Sequence, residues 1–200
     1  AWDALQKALA AKSDGVERAL IEALAKRYAD QEPADRKPLD EAYAAAMGEV
    51  YAKYGADADV ATLYAESLMD LQPWDIWTKD GKAKGRTEEI MAGLEKVLAK
   101  HPDHPGATHL YIHTMENSPF PERANAAADV LRALVPASGH LVHMPAHIDV
   151  QTGRWAKAAE ANEKAIAADR AYRAISPRQG FYAVYMAHNN QFLSWVAMMQ

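Results

Sequence analysis

Two short segments hold the residues best suited to chemistry, His109-Leu-Tyr-Ile-His113 and His143-Met-Pro-Ala-His147. Each carries two imidazoles four positions apart, and the second pair follows the first by 34 residues, histidine for histidine. On a helix, positions i and i+4 share a face with Cβ atoms about 5–6 Å apart. Imidazole nitrogens bind zinc and copper readily, at about 2.0–2.1 Å for zinc. Two pairs on neighbouring helices, packed about 8–10 Å apart, can converge on one centre. The spacing therefore predicts a transition-metal site of His109, His113, His143 and His147, with zinc or copper ahead of iron. Glu116 adds an oxygen ligand or an acceptor that orients an imidazole. His140 and His188 are further ligands or orienting groups. A histidine-lined groove could instead read a peptide carboxylate or a phosphate without metal, or sense pH near about 6.5.

Other chemistry is largely excluded. The 200-residue chain has no cysteine, which removes disulfides, thiolate nucleophiles and cysteine-type zinc sites. There is no Gly-rich phosphate loop, no G-x-S-x-G and no H-E-x-x-H. Glu116, Tyr111 and Tyr185 remain as general bases, although Tyr111 is two residues from each histidine of its helix and so on a different face. His101 and His104, in His-Pro-Asp-His-Pro, read as turn residues. Whether a reaction is catalysed, and on what, is not legible.

The elements that must position these histidines follow from the same offset. Thirty-four residues is the length of one tetratricopeptide (TPR) repeat, a helical hairpin of helices A and B. Helix B slots for small or apolar residues, with a closing proline, fit Ile90, Leu94, Val97 and Pro102, then Ala124, Ala128, Leu131 and Pro136. Ala158, Asn162 and Ala165 continue the register, with Asn162 a weak match and Arg170 in place of the proline. Gly153-Arg-Trp155 supplies the turn between helices A and B. Counted from Gly153 at repeat position 15, His140, His143 and His147 take positions 2, 5 and 9, and His109, His113 and Glu116 take 5, 9 and 12. Helical spacing turns all of these into the groove lined by A helices. His188 joins position 9 only if residues 171–177 are an inserted linker. Pro145 is expected to kink or restart its helix, so the i, i+4 geometry is safer for the first pair.

The rest of the chain agrees with an all-α, TPR-like α-solenoid of about ten antiparallel helices, a single domain over 1–200 clearest over 87–170. Alanine, leucine and charged helix formers fill most segments. Residues 72–86, with Pro73, Gly81, Gly85, Trp74 and Trp77, read as an inserted loop whose tryptophans pack back on the array. The formal charge of −5 and the lack of a basic stripe argue against nucleic acid. No apolar run reaches the roughly 18–20 residues of a membrane span. The chain starts without methionine in a half-repeat and ends on an apolar helix, which predicts missing flanking repeats, an oligomer, or a protein or peptide partner. The compartment is undecided.

Thr-Glu-Glu-Ile90, His-Pro-Asp-His-Pro-Gly-Ala107, Tyr-Ile-His113 with Glu116, Pro-Glu-Arg-Ala124 and Gly-His-Leu-Val-His-Met-Pro-Ala-His147-Ile resemble a bacterial family of TPR-repeat proteins. The likeness is strongest over 86–190. It implies an α-solenoid with further repeats on both sides. It supplies no activity.

Overall fold

The computed structural model describes residues 1–200. The helices are α1 Trp2–Ala10, α2 Gly15–Leu24, α3 Lys37–Tyr54, α4 Ala58–Met69, α5 Thr87–Leu98, α6 Pro105–Met115, α7 Asn125–Leu134, α8 Gly139–His143, α9 Pro145–Gln151, α10 Trp155–Ile175 and α11 Ala183–Met198. Because α8 and α9 are two halves of one helix, ten helices result, and there is no strand. The chain forms two compact units, Ala1–Val97 and Leu98–Gln200.

In the first unit, α2, α3 and α4 bury Ala23, Tyr43, Met47, Val50 and Val60 against one another. Asp57 caps α4, its carboxylate accepting from the N–H groups of Asp59 (2.9 Å) and Val60 (3.1 Å), which satisfies donors that the helix start leaves free. The loop after α4 departs at Trp74 from the expectation that its tryptophans pack back, while Trp77 is half-buried. Trp74 is 75% exposed and adopts φ 58°, in the left-handed region. The loop is anchored by Ile76 instead, which is buried. Lys84 N donates to Ile76 O (2.9 Å), and Thr78 N to Lys82 O (2.8 Å), so the segment closes as a short turn around Gly81. Backbone pairing therefore orders this segment while Trp74 points to solvent.

In the second unit, α6 and α7 form one hairpin, α8/α9 and α10 the next, and α11 packs on α10. His104 is the N-cap of α6: its Nδ1 accepts from Ala107 N (3.1 Å), and Pro105 follows in the first turn, where its missing N–H costs nothing. Pro145 divides α8 from α9 because it cannot donate to Leu141 O. The break is shallow, since Met144 keeps helical angles (φ −49°, ψ −40°). Between the helices, Asp149 is fully buried; both its oxygens lie 2.7 Å from Arg132 Nη2, and Oδ1 lies 2.9 Å from Arg154 Nε.

The expected linker 171–177 is corrected. Residues through Ile175 continue α10, and the chain leaves the helix only at Ser176, before Pro177. Nothing in Asp169-Arg-Ala-Tyr-Arg-Ala-Ile breaks a helix, and Arg170 stands where earlier repeats carry the closing proline. The residue before a proline disfavours helical angles, which sets the stop.

Candidate metal centre

Three helices, one of them the α8/α9 pair, bring six imidazoles together. His109 and His113 come from α6, His140 and His143 from α8, His147 from α9 and His188 from α11. All lie in the second unit. The arrangement differs from a single centre of two i, i+4 pairs. One nitrogen each from His109, His113 and His140 lies within 4.8 Å of the others, and one each from His143, His147 and His188 does the same. His140 and His143, three residues apart on α8, thus serve different groups. His188 joins the second group as the extra residues before α11 predict, although those residues mostly extend α10 instead of forming a linker. Its ring centroid is 4.8 Å from that of His143 and 5.8 Å from that of His147. Pro145 does not separate the second pair: His143 Nε2 and His147 Nε2 are 2.8 Å apart. His109 Nε2 and His140 Nε2 are 3.1 Å apart.

Glu116, buried at the C-terminal cap of α6, joins the groups. Its Oε1 is 2.8 Å from His113 Nδ1, and its Oε2 is bonded to His147 Nδ1. Burial alone would raise its pKa, but the bonds from the two histidines hold it down to about 2. An ionised carboxylate only accepts, so both Nδ1 atoms carry hydrogen. His113 and His147 are thereby turned to present Nε2. Both carboxylate oxygens are engaged, so Glu116 takes the orienting place among the roles expected for it.

Asn162 does the same for His143. Its Nδ2 donates to Ala158 O (2.8 Å), a group that can only accept. Its Oδ1 therefore faces His143 Nδ1, at 2.7 Å, and must accept from it. His143 then presents the Nε2 lone pair, and burial followed by the neighbouring His147 keeps its pKa well below that of a free imidazole. Burial, then His113, brings His109 down to about 3, and burial, then His113, brings His140 down to about 4. His188 is also lowered, by burial first and His147 next. Phe192 forms an apolar floor, its centroid 4.9 Å from His143 and 5.0 Å from His147.

His140 is held from behind. Its backbone N–H donates to Tyr182 Oη (3.3 Å), and that hydroxyl donates to Asp169 Oδ1 (3.2 Å). Asn189 Nδ2 donates to Asp169 Oδ2 (2.8 Å). The neighbouring Gly139 is required here, because a Cβ would sit 2.0 Å from Asp169 Oδ1. The Tyr185 ring packs edge-on against His140, at 4.7 Å. His140 Nδ1 is buried with no hydrogen-bond partner.

Sequence reasoning missed Asn162, Asp169 and Phe192. The signal for Asn162 was present: a polar residue filled a helix B slot that the other repeats give to small or apolar residues. Asp169 and Phe192 left no signal, because their partners lie on other helices at separations no motif links.

The chain is an all-α, TPR-like helical-repeat protein. Its backbone is similar to two solved MamA structures, both TPR-like. MamA MSR-1 C2 superposes with a TM-score of 0.55 at 16% identity, covering 86% of this chain and 88% of that one. MamA RS-1 ArsTM double mutant gives 0.57 at 14% identity, covering 95% and 98%. At these identities the likeness carries the fold alone. No protein-family description matches the chain, and no curated protein does.

Proposed function

We propose that this TPR-like protein binds transition metal, zinc or copper ahead of iron, through His109, His113, His140, His143, His147 and His188, with Glu116 orienting two of them. One observation carries the reading. His143 and His147 both have Nδ1–H committed to an acceptor, yet their Nε2 atoms lie 2.8 Å apart. Two lone pairs at that distance repel unless a cation sits between them, either a proton or a metal ion. Nearby nitrogens supply the further ligands that favour the metal. Pre-set tautomers, an apolar floor and acceptors behind the rings are what tightly bound imidazole sites use. If an ion keeps a free coordination position, such a site supplies Lewis-acid activation of water or of a second small molecule.

A second reading is favoured by the fold alone: a metal-free scaffold that takes a peptide, protein or small ligand on the face lined by α6, α8, α9 and α11. Elemental analysis of protein purified in the presence of zinc or copper separates the two. Near-stoichiometric metal is expected. At a hundredfold excess of ion over Kd, the bound state gains about 2.7 kcal/mol, a clear thermal shift. His109→Ala combined with His143→Ala should abolish binding while helix content survives. Less than about 0.2 ion per chain with no thermal shift refutes the metal reading.

A further inference from the structure

We infer that the six histidines form two three-histidine centres rather than one, making this a two-ion site whose halves share Glu116 as a common orienting group. The inference rests on the metal-binding reading above and goes beyond it in number and arrangement. Within each group, one nitrogen from each of three rings lies within 4.8 Å of the others. A tetrahedral zinc with nitrogens at 2.0–2.1 Å sets them about 3.3 Å apart, so modest ring rotations close either triad. Ring centroids alone do not divide the six, since His113 and His140 within one group are 6.3 Å apart and His113 and His147 across the groups 5.7 Å; the division is carried by the ligand nitrogens. A single ion cannot be reached by all six nitrogens, since imidazole sites of zinc are four-coordinate, rarely five. Two ions account for every histidine, three each, and leave each ion with room for one more ligand. Two-metal sites commonly hold their ions about 3.5–4 Å apart.

The polar surroundings match this division. Glu116 touches one histidine of each group, His113 through Oε1 and His147 through Oε2. It is the one carboxylate bonded to rings of both groups, and its charge behind them offsets part of the repulsion between two cations. The other orienting groups are private. Asn162 serves His143 only, and Tyr182 holds the backbone of His140 only. Three helices, α6, the α8/α9 pair and α11, complete the pair of centres.

The test uses the full chain, stripped with chelator and titrated with zinc or copper, with bound ions counted by mass spectrometry of the intact protein. The wild type is expected to take two ions. His188→Ala, which opens only one group, and His109→Ala, which opens only the other, should each leave one. Glu116→Gln should weaken both ions, by about 10–100-fold each, because its amide cannot accept from both Nδ1–H groups. Where an alanine variant does not fold, His188→Gln and His109→Gln replace it. One ion in the wild type, lost in both His188→Ala and His109→Ala, overturns the two-centre arrangement and leaves the metal-binding reading intact. No ion in the wild type overturns both.

Discussion

Asn162→Ala sets the fold's own preference against the site's. In the repeat register position 162 is a helix B slot for small residues, so repeat packing alone expects alanine to be neutral or stabilising. The structure expects a loss. Asn162 is fully buried, and its Oδ1 is the acceptor for the equally buried His143 Nδ1–H. Removing it orphans that donor at a cost of about 1–3 kcal/mol. For a chain of this size, that is a fall in Tm of roughly 2–12 °C. The His143 ring also loses what fixes its tautomer, and affinity for the ion held with His147 and His188 should drop about 10–100-fold. The other ion should be unaffected, because Asn162 touches no ring of the first group. Chelator-treated protein is melted by circular dichroism to read stability, and competition with a chromophoric chelator reads affinity. A variant within about 0.5 kcal/mol of wild type, the usual range for inconsequential changes, with affinity unchanged, refutes the assignment.

Acid should weaken the metal-free protein as pH falls through the ordinary histidine range. His109 and His140 fall to about 3 and about 4 when folded. The unfolded chain therefore takes up protons first as pH drops below about 6.5. Stability is full above that value and declines toward the folded pKa values, by up to about 1.4 kcal/mol per pH unit for each such histidine. A Tm unchanged between pH 7.5 and 5 in the presence of chelator contradicts this. Asp149→Asn removes the buried charge between Arg132 and Arg154. Both arginines are still about a quarter exposed (24% and 22%), so the loss should lie near or below the 3 kcal/mol floor for a broken buried pair, read from the urea midpoint.

The groove register was legible because TPR spacing and helical spacing agree. It placed His109, His113, Glu116, His140, His143 and His147 on facing positions, and the structure brings all six residues together. The partition into groups was not legible. It depends on His140 turning toward α6 while His143 turns toward α11, with Asn162 bonded to the His143 ring and Tyr185 packed on the His140 ring. Residues 171–177 misled because a missing proline is a quiet signal, whereas helix formers simply run on to Ser176. Pro145 was read correctly as a break. Its small effect on the His143–His147 pair follows from Met144 keeping helical angles, which no local rule requires. In the loop after α4, aromatic residues drew attention away from Ile76, which does the anchoring.

Glu116 changes what kind of polymer the second unit is. A helical-repeat array behaves as a row of neighbours, each layer coupled only to the next, so that one end can loosen while the other holds. Here a single carboxylate on α6 binds α9 through His147, whose ring packs on that of His188 from α11. The histidine cluster thus spans three successive layers. Loosening any one of them disturbs the contacts of the other two. The second unit should consequently melt as one block rather than layer by layer, with the cluster acting as a rivet through the stack.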